Sequence, residues 1–579
     1  MKASDFAKAN LTVISDTQLK NLTDSYDAII LNTSFEVNDI GKTSNEAQIL
    51  EFVNQTIKTI DIAKNLLKDG GLLFVYGLTN YLAYFGEYLD KLNNQEKVDY
   101  HYLFKYWIAC EFGASATENS IPTSHIGLLM YLKSKSKKSV TPFNLNTKFV
   151  RIPYKNCIHC GQNTKDWGGK KHLLNPLGTA ISDVWHFIEF PVKDANKLPK
   201  PVIDRILLLL SEGNEVLAVE QTAESLNLPK QEENISIFEP QKQIDHLDTV
   251  VHSDCIAYLK KLKEKYPQGS FDLAFADPPY NLAKNYSTYK DDKEDQKYIN
   301  WCNEWLGGMC DNLKPGGSLL VLNIPKWAIH HFTFLNKRLL FKNWIVWDAL
   351  STPAGKLLPA HYSLLYFVKE GGIPTVNIDK LQYIDSRDYC LRAKCVKERK
   401  DSGDDKKELL SDIWQDVYRI KHKKDRDNHP CQLPIKLMKR IIELFTNEGD
   451  VIFDPFGGAG TSAIAAKLLG RHYVITELDK NYVEIAKKNI SKVVPDLMGN
   501  LYYQRESVSN APKPTNLAKN QFEKKYINLC IKKEKVLNSE DLKNEHSELF
   551  TLLSDYSGDF NKLQTFVKRQ MEYLNQKEL

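Results

Sequence analysis

The stretch VIFDPFGGAGTSAIAAKLLGRHYVITE, Val451 to Glu477, decides the fold. VIFD reads as a short apolar strand, Gly457, Gly458 and Gly460 as a tight turn, and TSAIAAKLLG as a helix whose small residues suit close packing on a sheet. HYVITE is a second strand, and it ends in an acid, Glu477. Strand, glycine turn, helix, strand and terminal acid make half of a doubly wound, Rossmann-like α/β sheet. In such a half the turn lets backbone approach a nucleoside, and the acid accepts from ribose hydroxyls. Asp454 before the turn and Glu477 after it make this far more specific than glycines alone. The turn does not spell the full dinucleotide fingerprint and no GxxxxGK[ST] loop occurs, which disfavours NAD and ATP. A cofactor carrying an adenosine without phosphates fits better, because Phe456 and an apolar wall offer it stacking rather than charge.

Upstream, FDLAFADPPYNL, Phe271 to Leu282, is an apolar strand that stops abruptly at a carboxylate, two prolines and an aromatic ring. The prolines fix φ and donate no N–H, so Asp277, Pro278, Pro279 and Tyr280 form a rigid lip. A strand terminus with an N-capping acid is the plain alternative. The glycine turn downstream favours chemistry instead.

Reading the chain against itself shows a second set of these segments in the same order. YDAIILNTSF at Tyr26 parallels FDLAFADPPY at Phe271, and LLKDGGLLFV, with Gly70, parallels NLKPGGSLLV, with Gly316. KYWIA at Lys105 matches KNWIV at Lys342, and SHIGLLMYLK at Ser124 matches AHYSLLYFVK at Ala360. SDVW at Ser182 answers SDIW at Ser411, and LPKPVIDRILLLLSEG at Leu198 answers LPIKLMKRIIELFTNEG at Leu433. The spacing drifts only between 246 residues, at Gly70 and Gly316, and 229, at Ser182 and Ser411. An internally duplicated fold is therefore expected, with 1–235 a degenerate half plus linker and 236–510 the catalytic half. Residues 511–579 read as a helical, charged C-terminal extension. The first half has Asn32, Thr33, Ser34 and Phe35 in place of the acid, prolines and tyrosine, and it stops near Val219 with no glycine turn.

The 579 residues exceed one ordinary core, in agreement with two large units. No apolar run is long enough to span a membrane and the start lacks the apolar core of a secretion signal, so a cytoplasmic protein is expected. Ten scattered cysteines argue for reduced thiols and, at most, a metal site. The net charge of +4 announces no polyanion, but basic residues cluster at 387–400 and 419–426. Lys394, Lys397, Arg399, Lys421, Lys423 and Lys424 are the candidates for neutralising phosphates, with a solvated surface as the default reading.

These residues together resemble the beta class of DNA amino-methyltransferases, the adenine-N6 and cytosine-N4 type, in which a DPPY-type motif precedes a DPFxGxGT-type motif. Here DPPY at Asp277 precedes DPFGGAGT at Asp454, HPCQLP at His429 resembles the element between them, and VVHSDCIAYLKKL supplies Asp254. Cys431 and Leu433 depart from that family's usual threonine and lysine. The resemblance implies S-adenosylmethionine as cofactor, held by Asp254, His429, Gln432, Asp454, Pro455, Phe456, Gly457, Gly458, Gly460, Thr461 and Glu477. It also implies catalysis by Asp277, Pro278, Pro279 and Tyr280 on a flipped base of double-stranded DNA, with a target-recognition insert at about 372–428. Asp277 favours adenine N6, since serine is commoner at that position in cytosine enzymes. The tripeptide PCQ at Pro430 also occurs in cytosine-C5 enzymes, but there the glycine motif comes first, so Cys431 is incidental.

The expectation is thus site-specific methylation of adenine N6 on one strand of a non-palindromic site. The chain would act as a monomer in which the degenerate half replaces a second subunit, within restriction-modification and beside a separate endonuclease. Rival readings are cytosine-N4 methylation, an RNA or protein-amide methyltransferase, and a non-catalytic DNA-binding module. Last, CIHC at Cys157 and Cys160, and Cys390 with Cys395, lie in corresponding variable stretches of the two halves. Together they could complete a tetrahedral zinc site, against the plainer reading of buried thiols, with His159 and His172 as further candidate ligands.

Overall fold

The computed structural model describes residues 9–503 apart from 96–97, 116–120, 138–144, 148–149, 165–174, 176–177, 187–190, 223–225, 227, 229–243, 285–288, 290, 350–356, 382, 387, 391, 404–406, 421–431 and 496–500, and scattered residues between 522 and 568. The chain separates into two compact units, Met1–Tyr502 and Tyr503–Leu579. Among the described residues no helix is long and apolar enough to cross a membrane.

The larger unit holds two sheets. In the N-terminal one the strands are β1 (Asn10–Ser15), β2 (Tyr26–Asn32), β3 (Leu67–Gly77), β4 (His101–Ser115), β5 (Thr123–Ser134), β6 (Val184–Trp185) and β7 (Glu215–Glu220), with helices α1 (Glu46–Asn65), α2 (Thr79–Leu92) and α3 (Lys200–Leu209). Their spatial order is β1-β7-β2-β3-β5-β4-β6. The C-terminal sheet has β8 (Thr249–His252), β9 (Phe271–Ala276), β10 (Leu313–Asn323), β11 (Leu340–Asp348), β12 (His361–Val368), β13 (Ile413–Trp414), β14 (Val451–Asp454) and β15 (His472–Glu477). Its order is β8-β15-β14-β9-β10-β12-β11-β13. Its helices are α4 (Cys255–Lys265), α5 (Asp295–Asn312), α6 (Pro325–Leu335), α7 (Ala393–Asp401), α8 (Ile435–Phe445), α9 (Thr461–Leu468) and α10 (Lys480–Ser491).

From β7 to β6 and from β14 to β13 the two orders are the same, strand for strand. The central strands are nearly continuous apolar runs because helices cover both faces, and β5 is buried along its whole length. The outer edge differs. In the C-terminal half the neighbour of β14 is β15, reached through the glycine turn and α9, whereas in the N-terminal half β1 lies parallel to β7 from Asn10↔Glu215 to Ser15↔Glu220. A segment from the start of the chain thus occupies the place of the missing strand.

The two halves meet through equivalent residues. Trp107 and Trp344, from KYWIA and KNWIV, stack at 3.8 Å and 7°. His125 Nδ1 lies 3.1 Å from Asp412 of SDIW, and His361 Nδ1 lies 3.1 Å from Asp183 of SDVW. Ser124 N donates to Asp412 and Ala360 N to Asp183, each at 2.8 Å. Asn343 Nδ2 donates to Ile121 O, and Tyr106 Oη accepts from Leu357 N. Helices α2 and α6 add Tyr84 edge-on to Phe332. The histidine–aspartate and backbone-to-aspartate contacts recur with the halves exchanged, and Trp107 and Trp344 are each other's counterparts, which is the pattern of an isologous two-fold interface drawn within one chain. His186 sits where this relation brings two carboxylates together, with Nδ1 2.9 Å from Glu111 and Nε2 2.9 Å from Asp348.

The smaller unit has its own core of Phe522, Tyr526, Cys530, Leu537, Leu542, Leu563 and Val567, around short helices Ser539–Glu545 and Ser547–Ser554.

Candidate active site

Strands β9 and β14 are parallel neighbours, with Leu273 opposite Ile452 and Ala274 opposite Phe453. From β14 the chain crosses through α9 to β15 on one side, and from β9 through α5 to β10 on the other. The carboxyl ends of β9 and β14 therefore flank the point where the winding reverses, which is where an open α/β sheet leaves a crevice for a ligand. Asp277 follows β9 and Asp454 ends β14, so two acids 177 positions apart in sequence emerge side by side.

They line one cavity of about 250 Å³ together with Asp254, Pro278, Pro279, Tyr280, Gln432, Pro455, Phe456, Gly457, Gly458, Thr461 and Glu477. Four carboxylates face this space, from Asp254, Asp277, Asp454 and Glu477, against one lining cation among the described residues, Lys293. The donor set suits a positively charged guest and disfavours phosphates. Burial pushes the Asp277 carboxyl up to about 7, with Asp454 adding to the rise, while the Tyr280 hydroxyl and Lys284 oppose it. Burial likewise raises Asp454 to about 6, opposed by Ser462 and the Phe456 amide.

On the glycine side, Asp454 accepts from Phe456 N at 2.9 Å and from Ser462 Oγ at 2.5 Å, which ties strand, turn and helix α9 together. Gly460 caps α9 at φ 84°, where an L side chain is strained and a Cβ would meet Ala486 at 3.1 Å. Glu477 accepts from Gly458 N at 2.9 Å and Asp479 N at 2.8 Å, so one face of this carboxylate holds the turn. Gly460 lies just outside the cavity lining. Phe456 packs against Trp301 and Trp305 at 5.7 and 5.2 Å. Asp254 caps α4 by accepting from Ala257 N.

On the DPPY side the Tyr280 hydroxyl donates to Asp277. Tyr298 Oη donates to Pro279 O and Trp327 Nε1 to Tyr280 O, both at 2.7 Å, which clamps the lip from behind. The sequence reading missed Asp291. Its buried carboxylate accepts from Asn281 N, Leu282 N and Lys284 N at 2.8, 3.1 and 3.1 Å, and its carbonyl accepts from Ala283 N. Asn281 and Ala283 both sit at φ 54°, an unfavourable conformation for L side chains that these bonds hold in place. An acid ten residues beyond a turn carries no local signature, which is why it went unread.

Among the phosphate candidates, Lys394 and Lys397 are exposed on α7. Arg399 requires a correction: it is only 5 % exposed, with its guanidinium 4.6 Å over the Tyr389 ring, so it presents no charge to solvent. It falls on the same helical face as Cys395, one turn away, and that periodicity buries it. Lys421, Lys423, Lys424 and His429 lie outside the described residues, as does His172. Cys157, Cys160, Cys390 and Cys395 come together with their sulfurs within 4.8 Å of one another.

The sequence profile of the DNA methylase family N6_N4_Mtase matches residues 271–488. The type II methyltransferase M.BamHI of Bacillus amyloliquefaciens is 34% identical over 312 residues, 52% of this chain and 70% of its own. M.HpaI of Haemophilus parainfluenzae is 31% identical, spanning 42% of this chain and 73% of its own. The DNA adenine methyltransferase YhdJ of Escherichia coli K12 is 30% identical, spanning 44% and 85%. Among solved structures, the M1.HpyAVI–SAM complex aligns over 41% of this chain and 97% of its own at 20% identity and a TM-score of 0.30.

Proposed function

We propose, from the premise that this chain belongs to the N6/N4 family of DNA methylases, that its C-terminal half methylates adenine N6 of a base rotated out of double-stranded DNA, with S-adenosylmethionine as donor. The observation that carries this reading is the meeting of Asp277 and Asp454 on adjacent strand ends in one acid-lined cavity. The cavity's surplus of carboxylates fits a sulfonium cation, and the lack of a phosphate cradle among the described residues fits an adenosine without phosphates. Asp254, Asp454, Phe456, the Gly457–Gly460 turn, Thr461, Glu477 and Gln432 would hold that cofactor. When bound, it supplies an electrophilic methyl group.

The rest is done by this chain's own residues. An exocyclic amine is a poor nucleophile because its lone pair is delocalised into the ring. Asp277 and the Pro278 carbonyl can accept its two N–H bonds, which localises the lone pair away from the ring. Asp277, with its carboxyl near neutrality, is also suited to take the proton the amine sheds once it is methylated. Tyr280 is hydrogen-bonded to Asp277 before a base enters, so the incoming amine replaces the phenol and the ring becomes free to stack on the base. Proline rigidity and the Asp291 anchor hold these acceptors in place, so most of the rate comes from alignment.

Asp277 in place of serine favours adenine over cytosine, and YhdJ is named for adenine. The N-terminal half stands where a second subunit would and lacks the acid, the prolines and the glycine turn. One active centre then implies methylation of one strand of a non-palindromic site, within a restriction-modification pair whose nuclease is a separate chain. The test is single-molecule sequencing of DNA from cells expressing the chain against a D277A control. N6-methyladenine at one motif, on one strand, is the expected outcome. N4-methylcytosine at the motif would overturn the adenine assignment, modification of both strands of a palindrome would overturn the single centre, and unmodified DNA would overturn the enzyme.

A further inference from the structure

The variable segments of the two halves meet at a small cluster remote in sequence from the catalytic motifs. Cys157 and Cys160 come from the N-terminal half, and Cys390 and Cys395 from the C-terminal half. The cross-half pairs stand at 3.8 Å for Cys157–Cys395 and 3.7 Å for Cys160–Cys390, and all four thiols are free. A disulfide would need about 2.0 Å. Four sulfurs around a zinc ion at about 2.3 Å in a tetrahedron stand about 3.8 Å apart, which these pairs match.

Packing does not explain why the cluster forms. Its buried members are Cys157, Tyr389, Cys390 and Cys395, with Cys160 beside them and no aliphatic side chain among the described residues. So little apolar surface would not by itself hold two segments from different halves together. The segments are nonetheless fixed in detail. Ile158 N donates to Asp388 O at 3.0 Å, Lys155 Nζ to Asp388 at 2.7 Å, and Arg392 Nη1 to Asn163 O at 2.7 Å, each bond crossing between the halves.

The local backbone is shaped for a ligand. CIHC is followed by Gly161 at φ 67°, and Gly161 N donates to Cys157 O, so the turn brings two sulfurs to one side. The buried Arg399 is an independent sign. Its Nε and Nη1 have no hydrogen-bond partner among the described residues, although a buried guanidinium needs compensation. A zinc ion with four thiolates carries two net negative charges and would provide it.

We infer that Cys157, Cys160, Cys390 and Cys395 bind one zinc ion as a tetrathiolate that ties the variable segments of the two halves together. The inference does not depend on methyl transfer. Two cysteines per half make the site complete only when the halves are docked, so the ion fixes the relative position of the two variable stretches.

Metal analysis of the full chain, purified under reducing conditions without chelator, should find one zinc per chain, and C390S or C157S should lose it. Replacement by cobalt(II) in the unsubstituted chain should give the intense sulfur-to-metal charge-transfer and visible bands of a tetrahedral tetrathiolate. This second measurement stands even where the serine variants fail to fold. Iron with labile sulfide in place of zinc would overturn the inference. So would a native, reduced chain that takes up neither zinc nor cobalt and whose four thiols all react with iodoacetamide. Methylation activity enters neither readout, so failure here and failure of the proposed function are separate results.

Discussion

The end of β2 in the N-terminal half and the end of β9 in the C-terminal half occupy the same place in the same strand order, yet one is sealed and the other is open. At β2 the position of Asp277 is taken by Asn32, whose side chain donates to Glu220 and to Asn196 O. Thr33 donates to Tyr76 O and meets the Tyr81 hydroxyl at 2.7 Å, while Tyr76 Oη donates to Ala195 O. Packing there is so close that a Cβ on Gly77 would fall 2.3 Å from Thr33 Oγ1. At β9 the corresponding volume is a cavity, and burial holds Asp277, Asp454 and Glu477 above their ordinary range. A crevice lined by buried acids is thus a less favourable arrangement than a strand end closed by its own paired side chains.

The two strand ends differ most at Asp277. D277A should lower the methylation rate by about 10²–10⁴-fold, measured by tritium transfer to DNA. D277N, which keeps an acceptor oxygen, should retain more. Because the ionised carboxylate is the acceptor, the rate of the unsubstituted chain should fall as pH drops below about 7, and D277N should lose that acid limb. Stability runs the other way. The folded carboxyl is raised from an ordinary value of about 4, so the native state binds the proton more tightly, and stability is lost as pH rises from about 4 to about 7. The thermal midpoint of D277N should therefore exceed that of the unsubstituted chain above pH 7, and the excess should vanish below about pH 4.

Next in size is the seam. W107A removes one of two buried stacked indoles and should cost about 3–5 kcal/mol in denaturant unfolding, with W344A costing a similar amount. Unequal costs would show that the two sides of the seam are not energetically equivalent. A smaller loss is expected when the closed site is pushed toward the open one. N32D sets a second carboxylate beside Glu220 and should cost about 1–3 kcal/mol without creating any methylation in a D277A background. The smallest effect is at the exposed Lys394, where K394A should weaken DNA binding by less than about 1 kcal/mol and reduce the salt slope by about one.

The sequence made the strand ends, the glycine turn and the six paired segments legible because each is a local pattern whose chemistry is written in neighbouring residues. What it left unread depends on contacts between distant residues. LTVIS near the start of the chain gives no sign that it will stand in for the strand after a glycine turn. Asp291 is an ordinary loop acid until three backbone amides are seen converging on it. Arg399 belongs to a charge run and would be a phosphate contact, except that helical spacing from Cys395 turns it inward. The four cysteines are an intermediate case, since their positions in matching segments suggested a common site and only the fold could bring them within bonding distance of one ion.

Both partners of every reciprocal contact at the Trp107–Trp344 seam belong to a single polypeptide. Docking of the halves is therefore a first-order process, independent of how many copies of the protein a cell contains. Dilution to a few molecules would dissociate a clamp built from separate subunits, whereas here each half meets the other at an effective concentration fixed by the chain itself.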